Sequence, residues 1–406
     1  MAVTILHMSD AHLDTPFGSR EALRQQLRQA QLESFRQAAA MAKSHGADVF
    51  LVTGDLYDSE LLDYGTAQCI REVFSGLLAA GIAVLYAHGN HDPASESGAL
   101  ELPEGVAVFS DPEPEEWILR REGRELARFI GMGFREKTAR FPGALPPRTV
   151  LPTIGVAHAH LTELGGQADS MGVSARTLRE TGYDYWALGH VHARQTIEGS
   201  IAYPGCLTGR DYGETGEKGV LLVRAEAFRP PEIRFLPVPG TRFARLEAKD
   251  RPETTLSALA ATLEGMARPL LTDGGGMTML RIELSGRFGA YRELTDRRGQ
   301  DNLNALAAKL TGLLGVTDVT VEIRDMFPPV RPEEHEGENS LLGKAMELAK
   351  EAAFDDATAD ALLAELSELR FVEDRFLSDE ERREYLRSLL PGMDARLCTE
   401  LVKEEG

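Results

Sequence analysis

Three short apolar runs near the start of the chain each lead directly into a cluster of polar residues. The runs Val3–Met8, Val49–Thr53 and Ala83–Ala87 predict strands, and helical patterns over Arg20–Ser44 and Leu61–Ala80 separate them. This alternating order favours parallel strands joined by right-handed crossovers. Because the carboxyl ends of parallel strands meet at one edge of a sheet, the clusters SDAH, GDLYD and GNHD are expected to form one site.

Two later strand patterns, TIGVAHAH and YWALGHVH, also end in histidines. Together with the early clusters they supply the candidate metal ligands, which are Asp10, His12, Asp55, Asn90, His158, His190 and His192. Carboxylate, amide and imidazole groups without a thiolate suit Mn²⁺, Fe²⁺ or Zn²⁺ better than Mg²⁺ or Ca²⁺. The set is too large for one ion, so it predicts two ions about 3.5–4 Å apart that share one carboxylate.

The rest of the chain divides by pattern into three expected parts. Residues 1–240 continue as mostly strands after the early motifs, which favours an α/β domain of two sheets backed by helices, and the proline-rich stretch 228–240 ends it. Residues 241–330 alternate helix and strand patterns and predict a small α+β domain. Residues 331–406 hold 21 acidic and 10 basic residues and predict an acidic region of amphipathic helices.

Composition excludes several classes of protein. A formal charge of −20 argues against nucleic-acid binding through bulk positive charge, although metal ions can supply that charge locally. Three cysteines cannot form a disulfide framework, and their spacing does not match a zinc knuckle. The first residues lack a signal-peptide pattern and no run is apolar enough to span a membrane, so a cytoplasmic protein is expected.

The ordered motifs D-x-H, GD, GNHD, H and GHxH resemble those of the calcineurin-like metallophosphoesterases. Within that superfamily, HMSDAHLDTPF, GDLYD and the segment GHVHARQTIEGSIAYPGCLTGRDYGETGEKG are similar to the SbcD-like DNA repair exonucleases, especially their YhaO-type subgroup. The resemblance spans residues 10–219. It implies a four-layer αββα sandwich, followed by a small α+β capping domain and a helical C-terminal region.

The resemblance also implies roles for individual residues. It implies a first metal on four ligands, which are Asp10, His12, Asp55 and His192. It implies a second metal on four ligands, which are Asp55, Asn90, His158 and His190. Both ions are expected to be Mn²⁺. His91 would contact the scissile phosphate, and Asp92 would orient or polarise His91. Asp58 stands where archaeal members often have histidine. Arg210 either reaches a phosphate or site carboxylate, or lies in a glycine-rich turn without a role in the site.

The function that the resemblance implies is manganese-dependent cleavage of phosphodiester bonds in DNA repair, by exonuclease or endonuclease action. The implied partners are DNA, a coiled-coil ATPase of the SbcC or YhaN type, and a second copy of the chain bound through the helix at Leu61–Ala80. Two alternatives stay open. The same metal ligands could serve a small-molecule nucleotide or cyclic phosphodiesterase. A non-catalytic architectural subunit would need decayed ligands, whereas every expected ligand position is filled.

Overall fold

The computed structural model describes residues 2–58, 62–164, 171–252, 254–271, 275–329, 332–365 and 378–401. The chain forms two compact units, one of Met1–Ala244 with Thr272–Met279 and one of Arg245–Leu271 with Leu280–Gly406. In the described ranges, no helix combines the length and the apolar character needed to cross a membrane.

Strands and helices are numbered here in chain order. The strands are β1 (Ala2–Met8), β2 (Val49–Thr53), β3 (Ala83–Ala87), β4 (Ala107–Phe109), β5 (Glu115–Arg121), β6 (Arg124–Met132), β7 (Thr153–His158), β8 (His160–Leu161), β9 (Gly172–Val173), β10 (Tyr185–Gly189), β11 (Gln195–Ile197), β12 (Ile201–Tyr203), β13 (Gly219–Glu226), β14 (Glu232–Pro237), β15 (Arg242–Arg251), β16 (Thr278–Phe288) and β17 (Asp318–Phe327). The α-helices are α1 (Arg24–Ser44), α2 (Tyr64–Leu78), α3 (Ala175–Glu180), α4 (Leu256–Ala267), α5 (Tyr291–Thr295), α6 (Gly299–Leu314), α7 (Leu341–Ala352), α8 (Asp356–Glu365), α9 (Asp379–Leu389) and α10 (Met393–Leu401).

The first unit contains two six-stranded sheets. The first sheet has the order β14-β13-β1-β2-β3-β4, and β1 to β4 run parallel to one another. The second has the order β11-β12-β10-β7-β6-β5, with β12, β10, β7 and β6 parallel. The parallel strands β2, β7 and β10 are buried along their whole length, which explains why their sequences are continuous apolar runs.

Three apolar layers hold the two sheets and their helices together. Side chains such as Leu51 and Val156 fill the layer between the sheets. Helices α1 and α2 cover the outer face of the first sheet, where Phe35 and Phe74 pack against Phe50. On the outer face of the second sheet the cover is thinner and includes the six-residue helix α3. The α/β class and the αββα layering predicted from the sequence are confirmed.

The second unit is built on the three-stranded sheet β15-β16-β17. Helix α6 packs beside α4 and α5 and contacts β17. Helices α7 to α10 follow, with α10 packed on α7 and α9 on α8. The predicted helical C-terminal region is therefore present, although residues 331, 366–377 and 402–406 of it lie outside the described residues. The three-part division at 240 and 330 stays a prediction.

Candidate metal centre

Six of the seven predicted ligands lie just beyond the ends of buried parallel strands, and the seventh, His158, is the last residue of β7. Four of them have a backbone φ in the left-handed region: 48° at Asp10, 43° at His12, 50° at Asp55 and 92° at His190. This conformation costs a non-glycine residue on the order of 1–3 kcal/mol. Its concentration in one place indicates that the surrounding structure holds these turns in a geometry that the residues would not adopt alone.

Asp55 lies at the centre of the site. Its Oδ2 atom is 3.6 Å from Nε2 of His12 and 3.3 Å from Nε2 of His158, so one carboxylate oxygen faces histidines from both predicted ligand sets. Its Oδ1 atom accepts a hydrogen bond of 2.9 Å from the backbone N–H of His91. A carboxylate between two groups of ligands is the arrangement that a pair of divalent cations requires.

One group of ligands surrounds His192. Its Nε2 atom lies 3.3 Å from Nε2 of His12 and 3.6 Å from Oδ1 of Asp10. One ligand atom from each of these three residues lies within 4.8 Å of the others. Asp10 and His12 are fully buried, and the side chain of His192 is 29% exposed.

A second group surrounds His158. Its Nε2 atom lies 3.1 Å from Oδ1 of Asn90 and 3.3 Å from Nδ1 of His190. Asp10, Asp55 and His158 also offer ligand atoms within 4.8 Å of one another. The structure therefore brings all seven predicted metal ligands together, in two groups that meet at Asp55.

Three of the four histidines, His12, His192 and His158, are oriented through Nδ1, their second ring nitrogen. Nδ1 of His12 is 2.9 Å from Oδ1 of Asp58, and Nδ1 of His192 is 2.7 Å from Oε1 of Glu214. Nδ1 of His158 is 2.9 Å from the backbone oxygen of Thr53. A proton held on Nδ1 by an acceptor leaves the Nε2 lone pair free for a metal, and such partners raise the basicity of the ligand.

The orienting roles of Asp58 and Glu214 cannot be predicted from sequence spacing. Asp58 is 46 residues from His12, and Glu214 is 22 residues from His192. The members of each pair are far apart in the sequence, so only the folded structure shows that they are in contact. The one signal in the sequence is that Asp58 directly follows the GDLY residues and that Glu214 lies in the GETGEKG segment.

The structure corrects the predicted role of Asp92. Its carboxylate accepts hydrogen bonds from the Tyr86 hydroxyl and from the backbone N–H groups of Asp55, Leu56 and Gly89, at 2.6–3.2 Å. It therefore fixes the two metal-binding turns to each other rather than orienting His91. Asp92 and His91 are adjacent in a turn, and their side chains point in different directions. The carboxylate that faces His91 belongs to Asp58, whose Oδ1 atom lies 3.4 Å from Nδ1 of His91.

His91 lies at the rim of the site. Its side chain is 52% exposed, and its ring stands edge-on to His12 at a centroid distance of 4.8 Å. The hydrogen bond to Asp58 raises the pKa of His91, with a further contribution from the charge of Asp55. Because Nδ1 faces Asp58, Nε2 is the atom left to meet a substrate.

Arg210 reaches a carboxylate beside the site, in agreement with the expectation that it contacts either a phosphate or a site carboxylate. Its side chain pairs with Glu214 through Nε and Nη2 at 3.0 and 2.6 Å from Oε1. Although burial opposes ionisation, the hydrogen bonds from His192 and Arg210 hold the pKa of Glu214 well below its ordinary value. Arg210 thus keeps charged the carboxylate that orients His192.

Two motif glycines allow the turns to approach closely. A Cβ atom added at Gly54 would lie 2.3 Å from Nδ1 of His158, and one added at Gly89 would lie 2.1 Å from Oδ1 of Asp55. Real Cβ atoms do not approach so closely, so a side chain at either position would displace a ligand. The glycines of the GD and GNHD motifs are explained by this packing.

The electrostatics of the site fit divalent cations. Burial opposes charge on Asp55, yet the rings of His158 and His12 hold its pKa well below the ordinary range. Burial also opposes charge on His158, but the Asp55 carboxylate raises its pKa to about 9. The cluster thus attracts positive charge onto Nε2 of His158, at a position where a cation can replace the proton.

Part of the chain is similar to a known family and to two curated proteins. Residues 3–194 match the family model described as calcineurin-like phosphoesterase. The uncharacterized metallophosphoesterase YhaO of Bacillus subtilis is 32% identical over 232 residues, which cover 54% of this chain and 57% of YhaO. The DNA double-strand break repair protein Mre11 of Aeropyrum pernix is 28% identical over 263 residues, which cover 60% of this chain and 63% of that protein.

The chain therefore matches about three fifths of the length of these two curated relatives. A solved dimetal phosphatase of Danio rerio aligns with 57% of this chain and 98% of its own, at 12% identity and a TM-score of 0.34. That likeness is too weak to carry an argument. The family match and the two relatives confirm the resemblance that the motifs indicated.

Proposed function

We propose, from the premise that the chain contains a calcineurin-like metallophosphoesterase domain, that it hydrolyses phosphodiester bonds in DNA with two Mn²⁺ ions. The observation that carries this proposal is the position of Asp55, whose Oδ2 atom faces His12 at 3.6 Å and His158 at 3.3 Å. DNA is proposed as the substrate because one relative is named for DNA double-strand break repair.

The residues of the site would have separate roles in this reaction. When bound, divalent cations supply an activated water and neutralise charge on the phosphate. Asp55 would contact both cations, with Asp10, His12 and His192 on one side and Asn90, His158 and His190 on the other. His91 would hold a proton on Nε2 at the open rim and give it to the phosphate or to the leaving sugar oxygen. Asp58 favours that protonated form by raising the pKa of His91.

The test is a cleavage assay on end-labelled double- and single-stranded DNA, with Mn²⁺ or EDTA. We expect shortening of the DNA that requires Mn²⁺ and that slows about 10²–10⁴-fold in His91→Ala, the range for a lost general acid. His45→Ala is the matched control, because His45 is exposed at the end of α1. The pattern of products would distinguish exonuclease from endonuclease action.

A small diester, bis-p-nitrophenyl phosphate, is assayed in parallel. Cleavage of this compound without cleavage of DNA, even after an ATPase partner is added, would contradict the DNA assignment and favour a small-molecule phosphodiesterase. If protein that holds two Mn²⁺ ions cleaves none of these substrates, a non-catalytic architectural role would be favoured.

The partners are also proposals. We base them on the sequence resemblance, which implies a coiled-coil ATPase of the SbcC or YhaN type. It also implies a second copy of the chain, bound through α2. Such an ATPase would supply DNA affinity that a chain of charge −20 lacks. Sedimentation of the purified chain, alone and with the ATPase, tests both, and a monomer at micromolar concentration would contradict the dimer. The cytoplasmic location stays a prediction.

A further inference from the structure

A buried polar network lies in the apolar layer between the two sheets, directly beneath the metal centre. On β1 and β2, the side chains Val3, Ile5, Val49 and Leu51 face this layer. His7 and Thr53 continue the same rows, and both are fully buried. A histidine in this position carries two polar nitrogens into an otherwise apolar layer, which is costly unless both are bonded.

Both nitrogens of His7 are bonded, and each bond goes to a different sheet. Nδ1 lies 2.8 Å from the hydroxyl of Tyr185 on β10 of the second sheet. Nε2 lies 2.9 Å from Oγ1 of Thr53 on β2 of the first sheet. His7 therefore ties the two sheets together at the edge where the metal ligands begin.

The direction of each hydrogen bond follows from the partners. The hydroxyl of Thr53 donates to the backbone oxygen of Met8 at 3.4 Å, so its oxygen accepts from Nε2–H of His7. Nδ1 of His7 then accepts from the hydroxyl of Tyr185. Burial lowers the pKa of His7 to about 3, which agrees with a neutral ring in one tautomer.

Thr53 connects this network to the metal centre. Its backbone oxygen accepts the hydrogen bond from Nδ1 of His158 at 2.9 Å, and Gly54 and Asp55 follow it directly. We propose that His7 is a positioning residue, which through Tyr185 and Thr53 holds the Thr53 carbonyl in the place that aims Nε2 of His158 at the second metal. This inference rests on the two-metal centre of the proposed function.

Apolar side chains in place of His7, Thr53 and Tyr185 would also fill this layer, and no polar group would then have to be buried. A fully bonded buried network instead specifies one arrangement, because each member leaves another unsatisfied if it moves. The position of Thr53 matters to both Asp55 and His158, whose ligand atoms are 3.3 Å apart. Positioning explains why polar side chains are placed here.

The test uses Tyr185→Phe and Thr53→Val, each of which removes one hydroxyl and little volume. The matched controls are Tyr183→Phe and Thr153→Val. Tyr183 donates to the backbone oxygen of Pro146 at 2.6 Å, and Thr153 donates to that of Leu151 at 3.0 Å. Thr153 begins β7, whereas His158 ends it. The controls therefore lose a comparable hydrogen bond away from the ligands.

Mn²⁺ binding is measured by calorimetry, and the spin coupling between two Mn²⁺ ions by electron paramagnetic resonance. We expect the test variants to bind one Mn²⁺ about tenfold more weakly, at the low end of the range for lost orienting partners. Their spectra should shift from a coupled pair towards an isolated ion, while both controls resemble the wild type. Test variants that match their controls would overturn the inference. A wild-type chain that does not bind two Mn²⁺ ions would overturn the proposed function, and the inference with it.

Discussion

Oδ1 of Asp58 lies 3.4 Å from Nδ1 of His91, although the two residues are 33 positions apart and approach only in the folded chain. The same oxygen lies 2.9 Å from Nδ1 of His12. One carboxylate thus touches a metal-ligand candidate and the histidine proposed to protonate the substrate. The orientation of His12 and the charge of His91 are therefore both expected to depend on Asp58.

Removal of this carboxylate should change the pH profile of the reaction. Asp58 raises the pKa of His91, so the protonated ring persists to higher pH in its presence. In Asp58→Asn the pKa of His91 falls, and activity that needs protonated His91 should disappear at a lower pH. The measurement is kcat against pH for cleavage of end-labelled DNA at saturating Mn²⁺, because its leaving sugar oxygen needs a proton. An alkaline limb at the same pH as in the wild type would contradict this role.

Glu214→Gln should weaken metal binding. The variant loses the charged acceptor on Nδ1 of His192, and loss of such a partner typically costs 10–100-fold in metal affinity. Mn²⁺ affinity by calorimetry is the measurement. Glu198→Gln is the control, since Glu198 forms an exposed pair with Arg179 at 2.8 Å. Equal affinities for the two variants would show that Glu214 does not support His192.

Gly89→Ala should disrupt the metal centre while the fold survives. The new methyl group would lie 2.1 Å from Oδ1 of Asp55, so the carboxylate or the turn must move. We expect loss of Mn²⁺ binding with a far-ultraviolet circular dichroism spectrum like that of the wild type. Gly143→Ala is the control, because nothing lies within 4 Å of the added Cβ atom there. Normal Mn²⁺ binding by Gly89→Ala would contradict the close approach of the Gly89 backbone to the Asp55 carboxylate.

Asp184→Ala should destabilise the first unit without removing a ligand. Its buried carboxylate pairs with Arg148 and accepts the backbone N–H groups of Thr153 at 2.9 Å and Phe228 at 2.8 Å. Breaking a buried pair typically lowers the free energy of unfolding by about 3–5 kcal/mol. Urea denaturation measures this, and a loss below about 1 kcal/mol would contradict the importance of the pair.

The parallel strands and the ligand motifs can be predicted from the sequence for the same physical reason. Strands buried on both faces are continuous apolar runs, and the bounds of β2 and β3 match the predicted Val49–Thr53 and Ala83–Ala87. Polar residues that follow such runs stand out because they cannot continue the strand interior. The ligand groups are therefore recognisable from the order of residues alone.

Other features depend on tertiary contacts that leave little trace in the sequence. The sequence pattern does not indicate strand β15, because its buried Leu246 and Ala248 alternate with charged residues directly after the proline-rich stretch 228–240. His7 belongs by pattern to an apolar strand, and its partner Tyr185 is 178 residues away. Adjacency in the sequence predicts that Asp92 acts on His91, whereas its carboxylate accepts hydrogen bonds from the backbone of two turns.

The central claim is that Asp55 joins two cations. The most direct measurement is anomalous X-ray diffraction at the manganese edge from crystals grown with Mn²⁺. We expect two peaks about 3.5–4 Å apart on either side of the Asp55 carboxylate, one near His192 and one near His158. A single peak, or two peaks that do not share Asp55, would contradict it.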